Sequence, residues 1–275
     1  MSTHRLEPEL VSALKRLKLG RIVDTLPDRL VLAEKQDLFF EQILLLVLSD
    51  EIQRRDSTAA ERRAQDGHLD NEMRFERFDK SAKVTYDKRL LAELASLRFL
   101  DAHRHVVVLG PVGVGKTFMA TALGHIACQH GYQVLFVRAD EMLKTLRQSR
   151  LDNSRDAEMV TLTSVDLLIL DDFALEPMTK EESKDIYQLF LERTGRASMI
   201  VTSNRDTAEW ISMFDDVLLA QSAIDRLKNA AFDFVMEGES YRPRLKPTLD
   251  DANPPPASPM AKTRLHPRSR ARRRR

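Results

Sequence analysis

Apolar residues recur along this chain with more than one period, and each change of period marks a change of structure. Over residues 1–66 the spacing is helical. Leu10, Leu14 and Leu17 share one face of a helix that stops at Gly20. A second helix runs to Gln36, with Pro27 expected in its first turn. A third carries Phe39, Phe40, Ile43, Leu44, Val47 and Leu48, then continues into a strongly charged stretch. From 67 to 83 the periodicity lapses, leaving Leu69, Met73, Phe75 and Phe78 as the large apolar residues. Such residues would dock a linker on the next domain or close over a nucleotide base. An amphipathic helical pattern returns from Tyr86 to Leu100.

Beyond this point short apolar runs alternate with longer helical patterns. Runs at 106–109, 134–137, 167–170, 198–202 and 232–236 read as strands, the first of them unbroken as in a strand buried on both faces. Helical patterns at 117–130, 140–150, 180–194, 206–213 and 220–230 lie between them. Five strands with intervening helices predict an α/β fold built on a doubly wound, five-stranded parallel sheet. Its ligand belongs at the carboxyl ends of the strands. The expected organisation is a helical domain over 1–66, a linker over 67–83, the α/β domain over 84–246 and a tail over 247–275. Asn253-Pro254-Pro255-Pro256 and the arginines from Arg268 to Arg275 give that tail no core to bury, so disorder is expected.

Composition narrows the class. The net charge of +1 conceals a tail with eight Lys or Arg and no acid from Ala261 onward; without those cations the body sums to about −7. The tail either adds loose affinity for nucleic acid or is a passive solvated segment. The single Cys128 excludes an internal disulfide framework. Apolar runs are too short to span a membrane and the first residues lack a signal-peptide pattern, so a cytoplasmic protein is expected.

The chemistry is concentrated in one string. Gly110-Pro111-Val112-Gly113-Val114-Gly115-Lys116-Thr117 matches G-x-x-x-x-G-K-[ST], with a strand before it and a helix from Phe118 after it. Glycines let backbone N–H groups close around phosphate oxygens. Lys116 supplies a charge to the β- and γ-phosphates, Thr117 a hydroxyl to Mg²⁺, and the helix N-terminus a favourable dipole. The third strand ends in Asp171 and Asp172; the first would hold Mg²⁺ and the second would orient and deprotonate the attacking water. Asn204, at the tip of the fourth strand, reads either as a γ-phosphate sensor or as a helix N-cap. Arg226 reads either as an arginine finger for a neighbouring subunit or as half of a buried pair with Asp225. Arg54, Arg55, Arg62 and Arg63 fall within the charged part of the third helix, where they either follow DNA phosphates or form a solvated face with Glu51, Asp56 and Glu61.

The order of these motifs, with Asp225-Arg226-Leu227 last, is similar to that of AAA+ ATPases. The phrases Leu170-Asp171-Asp172-Phe173, Thr202-Ser203-Asn204-Arg205, Glu209-Trp210, Ala223-Ile224-Asp225-Arg226-Leu227 and Glu237-Gly238-Glu239-Ser240-Tyr241-Arg242 resemble the IstB-type transposition helpers of bacterial insertion sequences. These are relatives of the DnaC helicase loaders and the DnaA initiator. The resemblance covers about residues 6–246. It implies an ATPase that assembles with ATP into a homo-oligomer on double-stranded DNA, deforms that DNA and delivers it to a cognate transposase, which promotes hydrolysis. The helical domain would contribute DNA contact and subunit packing. A helicase loader acting on single-stranded DNA is the alternative within the same superfamily; a nucleotide-gated DNA scaffold and a small-molecule kinase are the rivals outside it. Two departures stand out: Asp172 is one methylene shorter than the usual Glu, and the Arg-rich tail extends beyond the resemblance.

Overall fold

The computed structural model describes residues 6–79 and 81–242. It begins with α1 (Pro8–Arg16), α2 (Ile22–Lys35) and α3 (Phe40–Asp66). These share a small core of Ile22, Leu26 and Val47, packed by Leu6, Leu14, Leu19 and Leu30. Pro27 lies inside α2, not in its first turn. Ile22 and Leu26, one turn apart, are both buried, and this draws the helix start back past the proline. The cost is one lost backbone donor in mid-helix.

The charged half of α3 docks on the α/β body through small residues. Ala60 and Ala64 are buried, and Ala64 belongs to the core beneath the sheet. The helix ends at Gly67, where a Cβ would lie 2.2 Å from the Val134 carbonyl oxygen. No side chain fits there. The close approach lets the Phe136 N–H donate to the Gly67 carbonyl at 2.8 Å, so the linker starts by covering the sheet's outer edge. Its Phe75 and Phe78 then pack on the core of the α/β body.

The sheet has six strands rather than five, in the order β1-β6-β2-β5-β4-β3. The additional strand is β1 (Val84–Tyr86), antiparallel to the end of β6 (Ala231–Gly238). Consequently the amphipathic helix starts later than Tyr86. Asp87 caps α4 (Lys88–Ala95) by accepting from the Arg89 and Leu90 N–H groups. Leu97 then adopts φ 61° and separates α4 from the short α5 (Arg98–Asp101).

The other strands are parallel: β2 (His105–Leu109), β3 (Val134–Arg138), β4 (Leu167–Asp171), β5 (Ser198–Ser203) and β6. Burial on both faces follows the period of two. In β4, Leu168 and Leu170 enter one core while Leu167 and Ile169 enter the other. One face is covered by α6 (Lys116–Gln129), α4 and α5. The opposite face carries α7 (Ala139–Ser149), α8 (Arg155–Ser164), α9 (Lys180–Arg193) and α10 (Val217–Lys228). Helix α8 has no counterpart among the predicted elements. The predicted helix at 206–213 is a 3-10 turn over Glu209–Met213, with Trp210 buried beneath it.

Described residues up to Ser240 form one compact unit, and Tyr241 and Arg242 belong to a second. The tail at 247–275 lies outside the described residues. Among the described residues no helix is long and apolar enough to cross a membrane.

Candidate nucleotide-binding site

Strand β2 delivers the chain into the loop from Gly110 to Thr117, and α6 leaves it at Lys116. Gly113 and Gly115 have φ 85° and 100°, conformations that an L side chain resists. Gly110 is tighter still: a Cβ there would sit 2.2 Å from the Met236 carbonyl oxygen on β6. Val114 is buried and anchors the loop, while Val112 is exposed at its crest and Pro111 beside it. Lys116 is buried, and its ammonium donates to the Gly110 and Pro111 carbonyls at 2.8 and 2.9 Å. The ammonium is therefore held beneath the loop. Phe118, one residue past Thr117, lies 5.6 Å from the Phe78 ring, whose other neighbour is Tyr86 at 6.3 Å. Phe75, Phe78, Val84, Tyr86 and Lys88 line a cavity of about 600 Å³ on this side.

The acids stand at the tip of β4, with β5 between it and β2. The Thr117 hydroxyl reaches both Asp171 carboxylate oxygens at 3.0 Å. The Thr202 hydroxyl, fully buried on β5, donates to Asp171 at 2.6 Å and accepts from the Asp172 N–H at 3.0 Å. Burial pushes the Asp171 carboxyl up from its ordinary range; the Thr202 hydrogen bond opposes this, the Asp172 charge reinforces it, and Thr117 and Arg138 oppose it less. A cation beside Thr117 and Asp171 would relieve that desolvation. This donor set of one hydroxyl and one carboxylate oxygen suits a hard divalent ion such as Mg²⁺.

Asp172 turns out of the strand with φ 55°, and Ala174 repeats the left-handed conformation at 59°. Each such residue costs on the order of 1 kcal/mol, so the turn persists because its surroundings hold it. Its carboxylate lies 3.9 Å from Arg138 at the end of β3, and Arg138 also bonds Asp140 at 3.1 Å. These residues face a cavity of about 580 Å³ beside the strand tips.

Asn204 follows the last residue of β5, and its Oδ1 is buried without a hydrogen-bond partner among the described residues. The helix it was expected to cap begins later; Asp206 instead accepts from the Ala208 N–H at 2.9 Å. Arg226 is half-buried on α10, 5.4 Å above the Tyr187 ring, and bonds the Ser222 carbonyl and hydroxyl. It does not pair with Asp225, which is exposed and accepts from Asn229 at 2.8 Å.

The α3 arginines are separated by their partners. Arg54 and Arg55 converge on the buried Glu51 and hold its carboxyl down at about 2. Arg62 lies within 3.6 Å of Asp66 and is largely exposed. Arg63 turns inward and donates to the Cys128 carbonyl at 2.8 Å. Arg138 escaped the sequence reading, and Thr202, Ser203 and Trp210 entered it only within the family phrases, with no role at the site. The one available signal was the polar Thr-Ser-Asn ending of an otherwise apolar strand.

A glycine loop between β2 and α6, acids at the tip of β4 and a polar residue beyond β5 place the molecule among AAA+ P-loop nucleotide-binding proteins. The replication initiator DnaA, in a structure bound to AMPPCP and single-stranded DNA, shares this fold at a TM-score of 0.50 and 21% identity, over 62% of this chain and 51% of that one. Sequence comparison reaches further. The family described as IstB-like ATP binding protein matches residues 12–248. An insertion-sequence ATP-binding protein of Mycobacterium tuberculosis is 39% identical over 243 residues, covering 88% of this chain and 96% of the relative. The IS21 ATP-binding protein of Pseudomonas aeruginosa is 34% identical over 238 residues, covering 86% and 90%. The chain belongs to the IstB-like ATP-binding proteins associated with insertion sequences.

Proposed function

We propose that the protein is an ATPase that assembles with ATP on double-stranded DNA and delivers it to the transposase of its insertion sequence. The observation that carries the ATPase reading is the convergence of Thr117, Asp171 and Asp172 beside the loop that buries Lys116. Thr117 and Asp171 would hold Mg²⁺, which supplies charge neutralisation to the phosphates. Lys116 adds a second positive charge. Asp172 orients the attacking water in line with the γ-phosphorus and takes its proton as the bond to the bridging oxygen breaks. Asn204, with its unsatisfied oxygen, orients the same water by accepting from it. Arg226 has no carboxylate partner among the described residues, which suits a guanidinium presented to a neighbouring subunit.

Support for DNA as partner comes from the insertion-sequence relatives and from α3. Arg54 and Arg55 share the buried Glu51 and keep about half of each side chain exposed. With Arg62 they offer phosphate contacts, whereas Arg63 serves the docking of α3. The helical unit and its linker then act as the DNA-binding and assembly arm of the ATPase domain.

Purified protein is incubated with ATP, ADP or no nucleotide on duplex and single-stranded fragments of equal length. ATP-dependent, sequence-tolerant duplex binding is expected, and Lys116→Ala should lose nucleotide binding and duplex binding together. A preference for single strands would transfer the reading to a helicase loader.

A further inference from the structure

The tip of β5 and the turn after β4 are joined more closely than neighbouring strands require. Phe173 donates its N–H to the Thr202 carbonyl at 2.8 Å and accepts at its own carbonyl from the Ser203 hydroxyl at 2.9 Å. The same hydroxyl accepts from the Trp210 indole N–H at 3.1 Å and from the Arg205 N–H at 3.2 Å. Trp210, the chain's single tryptophan, meets the Phe173 ring edge-on with centroids 4.8 Å apart. All three side chains are fully buried. Phe173 lies between the two left-handed residues Asp172 and Ala174, and Ser203 directly precedes Asn204. One hydroxyl therefore stands between the backbone that aims Asp172 and the backbone that aims Asn204.

We propose that Ser203 and Trp210 are positioning residues, which fix the Asp172 turn and the Asn204 carboxamide in one mutual register for hydrolysis. The proposal rests on the ATPase reading above. Neither side chain belongs to the glycine loop or the Thr117–Asp171 pair, so nucleotide affinity should not depend on them. Turnover should, because an acceptor or base displaced by a fraction of an ångström loses its alignment with the reacting atoms. Trp210 should also report the event. A γ-phosphate engaging Asn204 shifts the residue adjoining Ser203, and the indole hydrogen bond shifts with it.

The test uses the full chain, wild type and as Ser203→Ala and Trp210→Phe. Three quantities are read with Mg²⁺ present: affinity for a fluorescent ADP analogue, steady-state ATP turnover, and Trp210 emission with ATPγS against ADP. Ser203→Ala should bind ADP within about twofold of wild type and lose about tenfold in kcat with little change in KM, the scale of one or two buried hydrogen bonds. It should also lose the emission difference between ATPγS and ADP that is expected of wild type. Trp210→Phe keeps an aromatic ring against Phe173 and removes only the donor, so it should show a smaller fall in kcat, about threefold to tenfold. Its turnover and ADP affinity test the proposal if Ser203→Ala does not fold, although with the single tryptophan gone it has no emission to read. Unchanged kcat in the folded variants overturns the positioning role, as does a parallel loss of ADP affinity, which would make the network merely structural. Wild-type protein that binds ADP but never turns ATP over overturns the underlying ATPase reading, an outcome visible without either variant.

Discussion

Asp172 carries the strictest geometric demand in the site, because it leaves the strand in a left-handed conformation with its carboxylate facing Arg138. Its backbone is fixed by Thr202, so the short side chain has one origin and little reach. If it is the base, Asp172→Asn should keep ATP affinity within about twofold while kcat falls by about 10²-fold or more, the range for losing a positioned base. Phosphate release alongside a nucleotide titration separates the two effects, and unchanged release would remove Asp172 from the chemistry. Lys116, Thr117 and Asp171 were legible because their residue types are unusual where they stand: a lysine after glycines, an acid closing an apolar run. Thr202 was not. A threonine at the end of a strand is ordinary, and only the pairing of β4 with β5 brings its hydroxyl onto both acids. Arg63 shows the converse. Its spacing was plain, but its partner, the Cys128 carbonyl, depends on how α3 packs on α6, whereas Glu51 stands one turn before Arg54 on the same helix.

At the scale of elements, the five long strands announced themselves through short, mostly apolar runs, whereas β1 did not. Val84–Tyr86 is three residues long and becomes a strand only because the end of β6 is there to pair with it. The start of β2 holds a similar surprise. His105, one residue ahead of the predicted run at 106–109, is its first residue and is fully buried. Its Nδ1 accepts from the Met199 N–H at 3.1 Å and so ties β2 to β5. Burial, aided by Arg193 and Arg104, pushes its pKa down from 6.5 to about 4. The folded state thus resists a proton that the unfolded chain accepts. Stability is whole above pH 6.5 and is lost as pH falls from there through about 4, by about 3 kcal/mol at 1.36 kcal/mol per unit. His105→Asn keeps an acceptor for Met199 and cannot titrate. Denaturant unfolding at several pH values between 4 and 7.5 should show a shallower acid loss in the variant, by about that amount. Parallel curves for the two proteins would mean that His105 is not the group responsible.

Taken whole, the molecule presents Arg226 on α10, stacked on Tyr187 of α9, while the acids stand at the tip of β4 and Asn204 just beyond β5. An arginine that completes a site from a neighbouring subunit implies a head-to-tail contact, in which one copy offers its nucleotide and the next its guanidinium. The two functions then reside on opposite faces of one chain and are separable by mutation. Asp172→Asn keeps the finger and still holds ATP but lacks the base; Arg226→Ala holds ATP but offers no finger. Each alone should turn over ATP far below wild type, since a finger is worth about 10³–10⁵ in rate. Mixed in equal amounts and assembled at random, about one junction in four pairs an intact ATP site with an intact finger, so the mixture should recover about a quarter of wild-type activity. Turnover measured across a titration of one variant into the other decides the matter. A bell-shaped recovery places Arg226 in the neighbour's site, while a flat line at the level of the single variants places its effect within its own chain.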